Sequence, residues 1–163
     1  MANDLAPVDV GFLNTAPHRT TREFRVAASP AAVFDALARD PAGWGHWFPG
    51  FSKNGRYLSS APYGVGSQRE MHLGGLPLLE TVIAWDEGTR WAFRVDRATM
   101  PGVRAMAEDY RIVPDGDGSL VTWTVALDAA APVKAVLGPV AGTMVQRAGR
   151  KLERRLQAAG STD

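Results

Sequence analysis

Four short turn signals leave the strands of this chain little choice of partner. Gly74-Gly75, Glu87-Gly88, Pro101-Gly102 and Asp115-Gly116-Asp117-Gly118 are each too short for the crossover that a parallel pair needs. The runs between them are Ser67 to Leu73, Leu76 to Asp86, Arg90 to Ala98, Arg104 to Pro114 and Leu120 to Asp128. These are therefore antiparallel neighbours. Thr21 to Ala28 and Phe51 to Leu58 also read as strands, which brings the sheet to about seven. From about Ala131 to Ala159 the apolar spacing becomes helical, with Leu137, Val140, Met144, Ala148, Leu152 and Leu156 on one stripe. The expected architecture is α+β: a curved antiparallel sheet gripping one long C-terminal helix.

Two helix starts follow the first strand. Ser29-Pro30 offers a capping hydroxyl and then proline in the first turn, where its missing N–H costs nothing. Asp40-Pro41 repeats the signal and leads into Trp44, Trp47 and Phe48 before Pro49-Gly50 ends the segment. Aromatics this dense, beside glycine and proline, need a large apolar surface to close over. Residues 1–20 show no sustained period and are expected to form a loose arm, with residues 21–160 as a single domain.

Strand parity sorts the side chains by face. Trp91 and Phe93 share a face, as do Met106, Glu108 and Tyr110, and Trp123 belongs to the same inner set. Glu80 shares a face with Val82, and Arg69 with Met71. The run Leu78 to Trp85 is apolar on both parities, which predicts a bulge that switches phase. The expected cavity wall is Trp91, Phe93, Met71, Met106, Glu108 and Trp123, met by Val140 and Met144 from the helix and by Trp47 and Phe48 at the entrance. The candidate chemical residues are Glu80 as a buried acid or base, Arg69 as its partner and Tyr110 as a group able to polarise a carbonyl.

Composition excludes other classes. There is no cysteine, so disulfides, thiolate metal sites and cysteine nucleophiles are ruled out. His18, His46 and His72 lack metal-ligand spacing, and no metal or other cofactor is expected. A net charge of +1 gives no global attraction to nucleic acid. Arg147, Arg150, Lys151, Arg154 and Arg155 lie mostly off the apolar stripe of the helix, as a solvated face or a docking surface. With no signal peptide or transmembrane run, a cytoplasmic location is expected.

The ordered set Ala28-Ser29-Pro30-Ala31-Ala32-Val33-Phe34, Asp40-Pro41 with Trp44 and Trp47-Phe48-Pro49-Gly50, Gly64-Val65-Gly66-Ser67, Trp85-Asp86, Arg90-Trp91 and the Gly116 to Trp123 hairpin resembles the START-like helix-grip (SRPBCC) superfamily, in its polyketide cyclase/dehydratase-like branch. The resemblance runs from about residue 21 to 159. It implies a helix-grip fold with a cavity between sheet and helix, and a hydrophobic ligand that is polyketide-, lipid- or isoprenoid-like. Three functions are consistent with it: a polyketide cyclase/dehydratase-type lyase or isomerase, a non-catalytic lipid or isoprenoid carrier, and a homodimeric interaction protein with a filled core.

Overall fold

The computed structural model describes residues 1–160, and within them the side chains of all but 131–143 and 160. Eight antiparallel strands form one sheet. The strands are β1 (Asn3–Asp4), β2 (His18–Val26), β3 (Arg56–Tyr57), β4 (Gln68–Leu73), β5 (Leu76–Asp86), β6 (Arg90–Ala98), β7 (Val103–Asp115) and β8 (Gly118–Ala129). The order across the sheet is β2-β8-β7-β6-β5-β4-β3, with β1 added against β6. The helices are α1 (Phe12–Thr15), α2 (Pro30–Phe34), α3 (Trp44–Trp47) and α4 (Ala131–Gly160), and α2 runs on through a π-helical turn at Asp35–Arg39. This is the α+β helix-grip architecture.

The turn signals work as expected. Asp115 and Gly118 make the last rung of β7 and β8, which leaves a two-residue loop in which Gly116 has φ 60°. Ser29 caps α2 by accepting from the Ala32 amide. β5 changes phase between Val82 and Ala84. Leu78, Glu80 and Val82 are buried on the inner face. Trp85 returns to that face one residue late and meets Phe34 edge-on at 5.2 Å between ring centres.

α4 lies on the concave side of the sheet. Val145, Ala148 and Leu152 are buried there, while Arg147, Arg150, Lys151 and Arg154 face solvent. Gly149 permits the closest approach, since a Cβ there would stand 2.6 Å from the Phe24 ring. The early stripe positions Leu137 and Val140 lie outside the residues whose side chains are described.

Three elements differ from expectation. β2 begins at His18, because β8 is long enough to pair it from Leu127 onward. The expected strand Phe51 to Leu58 is reduced to β3 and a single bridge between Phe51 and Leu73, with a turn at Lys53-Asn54 between them. The first residues are not a loose arm. β6 and β7 pair only between Arg90–Arg94 and Ala107–Arg111. Where they diverge, β1 enters: Asn3 and Asp4 pair with Ala98 and Arg97, and the amides of Leu5 and Ala6 donate to the carbonyls of Asp96 and Arg104 at 2.8 and 2.7 Å. α1 then packs Leu13 against Ala84, Ala92, Ala107 and Ala126 on the convex face. A two-residue strand is too short to leave a period in sequence, so this second small core gave no signal.

Candidate functional site

The concave face is built from side chains in register. One row across four strands runs Val125, Glu108, Phe93, Val82, and the adjacent row runs Trp123, Tyr110, Trp91, Trp85. The sheet therefore places aromatic rings beside one another at strand spacing. Tyr110 and Trp123 stack with centres 5.9 Å apart, and Trp91 lies 5.5 Å from Tyr110. The segment Trp44–Phe51 closes over them. Trp44 is its anchor: its indole N–H donates to the Leu37 carbonyl at 2.9 Å, and its ring touches Trp47, Phe48, Phe51, Trp91 and Tyr110.

The interior is not filled. A cavity of about 220 Å³ remains between the sheet, the aromatic segment and α4. A dry cavity of about 150 Å³ suffices for benzene, so this one has room for one or two rings. Its walls are mainly apolar, among them Phe48, Phe93, Met106, Trp123 and Met144. Two carboxyl groups, Glu80 and Glu108, also reach it.

Glu108 is buried, and its Oε2 accepts from the Trp123 indole at 2.8 Å and from the Tyr110 hydroxyl at 2.9 Å. Burial pushes its carboxyl up to about 7, against the opposing effect of those two donors. Near neutral pH Glu108 is therefore divided between acid and base forms. Such a group can both take and return a proton.

Glu80 is differently placed. Arg69 sits directly opposite it across β4 and β5, and the two form a buried ion pair. Burial raises the Glu80 carboxyl, and the Arg69 charge and hydrogen bond oppose the rise. The guanidinium is held in an aromatic cage, 4.2 Å from the Trp91 ring centre, 4.9 Å from Phe93 and 5.0 Å from Trp44. Its Nη1 donates to the Leu37 carbonyl at 3.3 Å, while Nη2 has no acceptor among the described residues. This pair sets the electrostatics behind the cavity and leaves Glu108 as the carboxyl without a cationic partner.

Of the residues read from sequence, Glu80, Phe48, Phe93, Met106, Glu108, Trp123 and Met144 stand at the cavity wall. Arg69, Met71, Trp91, Tyr110 and Trp47 are buried behind it, in the layer that supports the wall. Val140 lies outside the described side chains. Sequence reasoning missed His18, Thr20 and Arg22 on β2, which also line the cavity. All three share the parity of Phe24 and Val26: Arg22 already lies within the strand expected from Thr21, and His18 and Thr20 join it once the strand is known to begin at His18. Trp44, Phe51 and Leu73 were missed as wall residues because their positions depend on the irregular path after Asp40.

Residues 17–160 match the family described as "Polyketide cyclase / dehydrase and lipid transport". The chain belongs to that family. Among similar members, uncharacterised proteins of Mycobacterium bovis and Mycobacterium tuberculosis are each 33% identical over 155 residues, covering 93% of this chain and 92% of the relative. The fold is shared with a START superfamily protein from Mycobacterium smegmatis, at TM-score 0.69 and 19% identity, covering 87% of this chain and 99% of that one. A protein from Thermobifida fusca aligns at TM-score 0.66 and 22% identity, covering 86% and 93%. Polyketide cyclase/dehydrase family membership and the START-like fold agree with hydrophobic ligand binding in the cavity described above. Among the described residues, no helix is long and apolar enough to cross a membrane.

Proposed function

We propose that the protein binds a hydrophobic small molecule of one or two rings in this cavity and acts on it as a polyketide cyclase/dehydratase-like enzyme, with Glu108 as the proton-transfer group. The observation that carries this reading is a carboxyl raised to about 7 inside a mainly apolar cavity. In its ionised form Glu108 takes a proton from a carbon activated by a neighbouring carbonyl. The resulting enolate carbon attacks a second carbonyl carbon of the same molecule, and the ring closes. The protonated Glu108 then returns its proton to the alkoxide, which becomes a hydroxyl. The carboxylate so regenerated takes a second proton from the carbon between the two oxygen-bearing carbons, the C–O bond breaks as the C=C bond forms, and that proton leaves on the departing hydroxide as water. Tyr110 and Trp123 hold the carboxyl in place, and the Arg69–Glu80 pair supplies fixed charge behind it.

One observation favours a second reading, a lipid or isoprenoid carrier. Both inner carboxyls already have donors within the protein, so they also serve as structural groups. One experiment separates the two. 2-Naphthol should quench tryptophan fluorescence in the native protein and in Glu108→Gln alike. With a poly-β-ketone substrate, Glu108→Gln should lose cyclisation while keeping affinity. Turnover that survives in Glu108→Gln would remove the catalytic role of Glu108, and binding without turnover in the native protein would leave the carrier.

A further inference from the structure

The inner face of β2 carries three polar side chains that proton transfer at Glu108 does not use. His18, Thr20 and Arg22 are successive inward positions of the edge strand, all half-buried and all on the cavity wall. They stand opposite Leu127, Val125 and Trp123 of β8, which are wall residues too. Among the described residues, Arg22 has one side-chain hydrogen bond, from Nη1 to the adjoining Thr21 carbonyl at 2.9 Å, and no acidic partner, while the side chains of His18 and Thr20 have no hydrogen bond. The contrast with the deeper polar groups is sharp. Arg69, Glu80 and Glu108 all have side-chain partners inside the protein.

We propose that Arg22, with Thr20 and His18 beside it, is a subsite for a carboxylate carried at the outer end of the ligand. This rests on the cavity being the ligand site. A guanidinium fork matches a carboxylate through two parallel hydrogen bonds. A single cation flanked by a hydroxyl suits a singly charged carboxylate better than a dianionic phosphate. The position is suited as well: half-burial keeps the ligand's charge at the wet end while its rings enter the dry end. The register sets the length. Thr20, Val125 and Glu108 are cross-strand neighbours in one row, so β2 and β7 are two strand spacings apart, roughly 9–10 Å. The ligand class is thus a fused-ring or similarly sized aromatic acid, with an oxygen at the end remote from its carboxylate to meet Glu108.

The probes are 6-hydroxy-2-naphthoate and its uncharged amide, 6-hydroxy-2-naphthamide, titrated against tryptophan fluorescence at about pH 8. The native protein should bind the acid about tenfold or more tightly than the amide, the scale of one hydrogen bond to a charged group. That preference should shrink as salt is added. Arg22→Gln, folded by circular dichroism, should close the gap by weakening the acid about tenfold while changing the amide far less. Arg22→Lys should retain part of the preference. Equal affinity for acid and amide in the native protein, or a preference that survives in Arg22→Gln, overturns the subsite but leaves the cavity reading intact. Failure of both probes to bind overturns the cavity reading and the subsite with it.

Discussion

The Trp123 indole donates to the Glu108 carboxylate at 2.8 Å from the neighbouring strand, so one residue both walls the cavity and holds its acid. Trp123→Phe separates those roles. It keeps most of the apolar area and removes the donor that most strongly counters the burial of Glu108. The Glu108 carboxyl should titrate above about 7 in this variant, as read by NMR of a labelled side chain. Trp123→Ala should also lose packing, roughly 3–5 kcal/mol, and bind 2-naphthol more weakly.

Glu108 makes stability depend on pH in a defined sense. Its carboxyl lies near 4.5 in the unfolded chain and about 7 in the folded one, so the folded state holds more protons between those values. Stability should be fully present below about 4.5, fall as pH rises to about 7, and level off above that. The loss amounts to about 3 kcal/mol. Glu108→Gln should abolish this component and be more stable than the native protein at alkaline pH. Urea unfolding from mildly acidic to alkaline pH reads it directly, and a native profile unchanged by the substitution would show that Glu108 does not titrate in this range.

Arg69 and Glu80 should be strongly coupled. Arg69→Met leaves a carboxylate buried without its partner and should cost about 3–5 kcal/mol. The double change Arg69→Met with Glu80→Met should recover much of that loss. A double-mutant cycle that came out additive would mean the pair is not energetically linked.

Much of this was legible in the chain. The turn signals fixed five strands as neighbours, and β5 and β6 have the bounds the alternation implied. Parity placed Arg69, Glu80 and Glu108 inside, where they are buried. It named Arg69 as the partner of Glu80 but did not reveal that Glu108 is met by Trp123 and Tyr110 and has no cation beside it. Those contacts depend on how side chains of two strands are turned toward each other, which parity alone does not give, so parity alone pointed to Glu80 as the principal acid. The start signal at Asp40-Pro41 does lead into the short helix α3, but the path of the stretch on to Gly55 was opaque for a related reason: tertiary contacts such as the Trp44 bond to Leu37 decide it, not a local period.

The aromatic segment should respond to ligand. Residues 41–51 carry Trp44, Phe48 and Phe51 onto the cavity. Hydrogen exchange there should slow when 2-naphthol binds, if the segment opens for entry. Equal and strong protection in the empty protein would make Trp47 and Phe48 permanent core and put the entrance elsewhere.

The N-terminal segment should be needed for stability. Leu13→Ala thins the small core on the convex face and should cost about 2 kcal/mol, the lower end of the range for leucine truncation. Removing residues 1–16 should lower the melting temperature further, because it also takes β1 from the gap between β6 and β7. An unchanged melting temperature would show that the pairing contributes nothing measurable.

The placement of β2 has a consequence for the order of assembly. Among the described residues its only sheet partner is β8, and the hydroxyls of Thr21 and Thr124 meet across a separation of 103 residues. A ribosome adding about 5–20 residues per second makes β2 several seconds before β8 exists. During that interval Phe24 and Val26 have no sheet to lie on, and the edge that later borders the cavity is open to other chains. Closure of long-separated strands is also the slow kind of folding step. The hairpins from β4 to β7 can form first, and the cavity itself comes into being only when the two ends of the chain meet.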